Sequence, residues 1–166
     1  MDSYLTNGEY ILVGEDGAPF LDNSKKKAYK ISGKTWVNNH AHILKEIEGR
    51  TINAFILHFL NSINYRQYVN GTTRLKLTKG SLVEIPIPLP KVPTQQAVAS
   101  KIDELFSELD KGIENLHIAQ EQLKTYRQAV LKWAFEGRLT NENVKEGELP
   151  EGWVLKKLNE LGDWKG

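Results

Sequence analysis

Residues 94–137 read TQQAVASKIDELFSELDKGIENLHIAQEQLKTYRQAVLKWAFEG. No proline interrupts them, and Ile102, Leu109, Leu116, Leu123 and Val130 recur every seven positions. Three residues after each stand Leu105, Gly112, Ala119, Tyr126 and Trp133. Five unbroken heptads with an aliphatic first position predict a long coiled-coil helix. Thr94 is placed to cap its start directly after Pro93, and Gly137 stands where a C-terminal glycine belongs. At 1.5 Å per residue, about 43 residues make a rod of ~64 Å. A stripe that long exceeds what a neighbouring globule can cover, so it calls for a partner helix. A lone helix lying across its own domain is the plainer alternative, and it leaves most of the stripe wet. The small Gly112 and Ala119 would admit close approach or bulky partner side chains.

Upstream, Pro86-Ile87-Pro88-Leu89-Pro90-Lys91-Val92-Pro93 forbids helix and predicts an extended, stiff linker. Residues 1–93 mix short strand patterns with one helix. Tyr10–Val13 is a strand ended by the turn Gly14–Gly17, Ala28–Ile31 a second, and 35–44 a third with partial alternation. Ile52, Phe55, Ile56, Phe59, Leu60 and Ile63 fall at helical spacing, predicting an amphipathic helix over 52–67 packed on the sheet. Strand-like alternation returns at 73–77 and 82–87. The predicted fold is α+β, a small mixed α/β domain followed by one long helix. After the helix, 141–148 is a polar, acidic loop, and Leu149-Pro150-Glu151-Gly152-Trp153 opens something new and apolar.

Of the 166 residues, 40% are apolar and 26% charged, the composition of a soluble globular protein. The absence of cysteine excludes disulfides, thiolate metal sites and cysteine nucleophiles. Met1-Asp2-Ser3-Tyr4-Leu5 lacks the basic flank and apolar core of a signal peptide, and no apolar run approaches ~20 residues, so the expectation is cytoplasmic. Net charge is only +1, but residues 1–93 hold 12 basic against 8 acidic side chains and residues 94–166 hold 10 against 13. The basic excess lies at Lys25, Lys26, Lys27, Lys30 and Lys34, then at Arg66, Arg74, Lys76 and Lys79. That bias suits a phosphate-facing surface, or an ordinary solvated face.

Catalytic motifs are missing from the sequence: no glycine-rich phosphate loop leads into Lys-Ser or Lys-Thr, and no Asn/Asp-Pro-Pro-aromatic or nuclease carboxylate-lysine cluster stands out. His40 and His42, two apart on an expected strand, would face one side. A metal there would need a third ligand that the neighbourhood does not offer, so DNA-facing or structural roles fit better. His58 and His117 read as packing or surface residues, and periodicity assigns most of Trp36, Tyr65, Tyr68 and Trp133 to the core. The segment Tyr68-Val69-Asn70-Gly71-Thr72-Thr73-Arg74, followed by Lys76, joins a turn signal to hydroxyls and a guanidinium. Such groups serve phosphates and base edges, or simply make a turn.

Three segments, in order, resemble the specificity subunit of type I restriction-modification enzymes. Trp36-Val37-Asn38-Asn39-His40-Ala41 is similar to a segment of many target-recognition domains. Gly71-Thr72-Thr73, Ile85–Pro90, then Gln95-Gln96 and the long helix resemble the exit from such a domain into the central conserved region. The family's Pro-Pro-x-x-Glu-Gln has Lys91 and Val92 in place of the prolines here, and Gln95 in place of the glutamate. Ala134-Phe135-Glu136-Gly137-Arg138-Leu139-Thr140 with Leu149–Trp153 resembles the passage to a second recognition domain. The resemblance implies the distal part of a recognition domain (1–93), a conserved helix (94–137) and the start of another domain (138–166). It implies a non-catalytic subunit that reads double-stranded DNA, docks modification and restriction subunits, and leaves S-adenosylmethionine, ATP and magnesium to them. DNA contacts are then expected from Lys25, Lys26, Lys27, His40, His42, Asn70, Thr72, Thr73, Arg74 and Lys76. An antiparallel homodimer over 98–135 is expected, with Ile102, Leu105, Leu109, Leu116, Leu123, Tyr126 and Val130 in the seam. The rival reading is a stand-alone coiled-coil adaptor.

Overall fold

A computed structural model describes residues 4–163, so the opening Met1-Asp2-Ser3, read above for a leader, and the last three residues lie outside the described part. The architecture is α+β, and the described residues form two compact units parted between Ser107 and Glu108.

In the first unit, β1 (Thr6–Asn7), β2 (Tyr10–Gly14), β3 (Ala28–Ile31), β4 (Lys34–Thr35) and β5 (Ala41–Leu44) precede α1 (Asn53–Ser62). Antiparallel pairing sets β2 between β3 and β5, and β1 against β4. Alternation along β2 turns Ile11 and Val13 to one face, where they are buried with Phe20, Leu60, Tyr65 and Leu77. Asn61 clamps α1 to the outer strand: its Oδ1 accepts from Lys27 N at 2.8 Å and Ala28 N at 3.0 Å, and its Nδ2 donates to Ala28 O at 2.9 Å.

Four expectations need correcting. The strand predicted over 35–44 is two, because Asn38 accepts from the His40 N–H at 3.1 Å and turns the chain between β4 and β5. The helix predicted over 52–67 stops at Ser62, since Ile63 is extended; the chain then turns to bury Tyr65, whose hydroxyl donates to Leu60 O at 2.7 Å. Of 73–77 only β7 (Lys76–Leu77) is strand, paired with β6 (Val69–Asn70), and 82–87 is no strand. Instead Thr78 accepts from Ser81 N and caps a short helix, α2 (Lys79–Val83), before the prolines extend the chain.

The long helix, α3, runs Val92–Phe135. Its start also corrects the sequence reading: Lys91 O receives the N–H groups of Thr94 and Gln95, and Pro93 sits in the first turn, where a missing N–H costs nothing. Gln95 joins this helix to the sheet unit. Wholly buried, its Oε1 accepts from Ile52 N at 3.1 Å, and its Nε2 donates to Arg50 O and Pro90 O, each at 2.8 Å. The amide thus serves two carbonyls and one N–H, where an ionised glutamate could only accept.

In the second unit α3 ends as the sequence predicts. Gly137 N bonds Ala134 O and Arg138 N bonds Trp133 O, the paired bonds of a Schellman cap, with Gly137 at φ 71°. A Cβ on Gly137 would lie 2.1 Å from Pro150 Cγ, so the turn also demands glycine for space. Around a short 3₁₀ turn at Leu158–Glu160, Val154, Leu155, Leu158 and Leu161 are exposed.

Candidate nucleic-acid interface

Strand direction gathers residues far apart in sequence. The C-terminal end of β2, the entry to β3 and the entry to β5 share one end of the sheet, with Val13 opposite both Ala28 and His42. Lys25 and Lys26 therefore precede β3 at that end, and His40 precedes β5 there. The β6–β7 hairpin is stitched to the same end: Leu77 N bonds Glu15 O at 2.7 Å, Gly17 N bonds Leu75 O at 3.1 Å, and Asp16 makes an isolated bridge to Lys76. Asn70 lies opposite Lys76 in the hairpin, and Thr72, Thr73 and Arg74 form its exposed tip.

Two carboxylates in the turn after β2 hold the cations in place. Asp16 accepts from Arg74 Nη2 at 2.8 Å and lies 3.1 Å from His40 Nδ1. Glu15 pairs with Lys76 at 3.0 Å. Partial burial opposes ionisation of Asp16. The hydrogen bond from His40 and the charge of Arg74 outweigh it and hold the carboxyl below the usual carboxylate range. Gly17, at φ 67°, leaves room for the guanidinium: a Cβ would stand 3.2 Å from Arg74 Nε. Neither Glu15 nor Asp16 is singled out by the sequence reading. The available signal was a pair of acids in a turn amid a basic region, visible as a partner set only once the hairpin is folded against it.

The structure divides the other predicted contacts. Lys27 is only 2% exposed and its Nζ donates to Asp22 O at 2.7 Å, so it is withdrawn from the cluster that Lys25 and Lys26 leave exposed. His42 is on β5, faces Val13, and places Nε2 2.7 Å from Leu77 O, whereas His40 lies outside the strand. The two imidazoles thus do different work, one bracing the hairpin and one facing Asp16. Trp36, assigned to the core by periodicity, is exposed, while Tyr65 is core as expected. Among the described residues no group of three His, Cys, Asp or Glu could hold a metal, and no helix is long and apolar enough to cross a membrane.

The candidate assembly residues lie on α3. Leu105, Leu109, Leu116, Leu123 and Tyr126 are exposed, Leu116 by 72%, while Ile102 and Val130 are partly covered. Phe106 and Ile113 widen the apolar stripe over its first two heptads, and both are exposed.

Residues 1–117 match the family described as the type I restriction modification DNA specificity domain. A type I restriction enzyme specificity subunit of Haemophilus influenzae is 34% identical over 98% of this chain and 39% of its own length. The EcoKI specificity subunit of Escherichia coli is 35% identical over 63% of this chain and 23% of its length. The MjaVIII specificity subunit of Methanocaldococcus jannaschii is 26% identical over 96% of this chain and 38% of its length. The chain thus corresponds to well under half of each of these relatives.

Proposed function

Because this chain belongs to the type I restriction-modification DNA-specificity family, we propose that it reads duplex DNA with the sheet end that carries Lys25, Lys26, His40 and the β6–β7 hairpin. The observation that carries the reading is the convergence of three separate segments, all bearing cations or hydrogen-bonding side chains, on that one end. Phosphates are met by Lys25 and Lys26 and base edges by the Asn70–Lys76 hairpin. The chain does no chemistry of its own. It docks a modification subunit and a restriction subunit, which supply S-adenosylmethionine, ATP and magnesium, and it works in the cytoplasm where the DNA lies.

The long helix is the scaffold. Its exposed stripe supports pairing with another helix, and in a second copy the nearest mate is the same segment, run antiparallel over 98–135. Each end of the pair then carries one reading surface, as a split DNA site requires. The test is co-expression with the cognate modification subunit and mapping of methylated adenines in host DNA. Methylation at a two-fold symmetric split site is expected. A stable dimer with no methylation and no salt-dependent duplex binding would leave only a coiled-coil adaptor.

A further inference from the structure

The hairpin tip carries an arrangement that a mere basic patch does not need. Arg74, 63% exposed, is tied at one nitrogen to a carboxylate that belongs to another segment of the chain. That bond uses one of the five donors of a guanidinium and fixes the plane in which the rest lie. Asp16 is itself held by a backbone bridge to Lys76 and flanked by the Glu15 and Gly17 backbone bonds, so it is a rigid post rather than a floating counter-charge. Its side chain is only 18% exposed, and the same carboxylate takes His40. An acid at the centre of a phosphate-facing surface weakens attraction to any DNA. It is useful there only if orientation of its partners matters more than their summed charge.

We propose that Asp16 is a specificity-determining positioning residue: it sets the Arg74 guanidinium and the His40 imidazole for base-edge contact, and its charge disfavours sequence-independent binding. This rests on the DNA-reading role above. The neighbouring pair supplies the control. Glu15 holds Lys76, whose ammonium is a point charge with no plane to orient. Asp16→Asn and Glu15→Gln therefore remove equal charge, one residue apart, with different consequences for geometry.

The experiment uses the full chain, a random-sequence duplex, and a duplex enriched from a random pool by the unsubstituted chain. Both variants should bind the random duplex more tightly and steepen the salt dependence by about one unit of slope. Only Asp16→Asn should lower the ratio of enriched to random affinity, by about tenfold. Arg74→Lys, which keeps the charge and loses the fork, should lower the ratio similarly with the salt slope unchanged. This variant carries the test if Asp16→Asn is unstable. An unchanged ratio in Asp16→Asn and Arg74→Lys, or an equal fall in Glu15→Gln, overturns the positioning role while DNA reading stands. If the unsubstituted chain holds no duplex at any salt, both readings fall.

Discussion

The sheet unit and the long helix meet their needs in opposite ways. In the sheet unit Ile11, Val13, Phe20, Tyr65 and Leu77 are wholly buried within the chain, and Gln95 and Asn61 complete their hydrogen bonds there. On α3 the heptad leucines that define the element remain exposed, with Leu123 at 67%. One region is finished by its own sequence, whereas the other leaves its apolar stripe open, as the proposed pairing requires. Stability of the first should therefore be independent of concentration, and that of the second should follow it.

Leu116→Lys attacks that contrast most strongly. Leu116 lies near the midpoint of 98–135, so an antiparallel pair brings two copies of it together, and the substitution would set two ammonium groups in one apolar seam. Sedimentation should show the dimer mass replaced by the monomer mass, while the thermal melt of the sheet unit stays where it was. An unchanged mass would refute the pairing.

Phe20→Ala is the complementary break. Phe20 is fully buried, with its ring centroid 5.3 Å from that of Tyr65. Removing a buried phenylalanine costs about 3–5 kcal/mol, so the sheet unit should unfold at lower denaturant concentration, with its unfolding free energy reduced by that amount. Its dimer mass should persist. A joint loss of mass and stability would mean that the two regions are one cooperative unit, and the comparison would fail.

The contrast also explains what could be read in advance. Heptads, proline linker and C-terminal glycine are local patterns, and α3 departs from the predicted 94–137 by two residues at each end, starting early because a proline fits the first turn and ending at Phe135. The strands at 10–13 and 28–31 are short β-prone runs bounded by turn residues, a signal that is legible locally. Where tertiary contacts decide, local patterns mislead. Tyr65 falls inside the predicted 52–67 helix yet is buried by a turn beyond its observed end, and the 82–87 alternation yields to the cap that Thr78 gives to α2. The candidate site was half visible for the same reason. Cations and hairpin residues carry compositional signals, but Lys27's burial, His42's bond to Leu77 and the partnership of Asp16 with Arg74 depend on strands meeting.

Gly112 within α3 and Gly137 just past its end sharpen the comparison at a finer scale. Gly137 sits at positive φ, where an L-residue is strained, and a Cβ there collides with the Pro150 ring, a group that cannot swing aside. Gly137→Ala should therefore cost about 1–2 kcal/mol from backbone conformation alone, with more from the displaced ring. Amide exchange at Arg138, whose N–H bonds Trp133 O, should accelerate. Gly112 has nothing within 4 Å of where its Cβ would be. In a helix that stands alone, Gly112→Ala would raise stability by about 1 kcal/mol, because alanine loses less backbone entropy. In a seam packed closely at that small residue, the added methyl must instead push the helices apart. The sign of the Gly112→Ala effect, measured by thermal melts above and below the dimer dissociation concentration, thus reports what covers α3. Stabilisation at both concentrations would mean the stripe is open at Gly112. Stabilisation of the monomer alone, with weakened association, would mean that the partner helix approaches at that glycine.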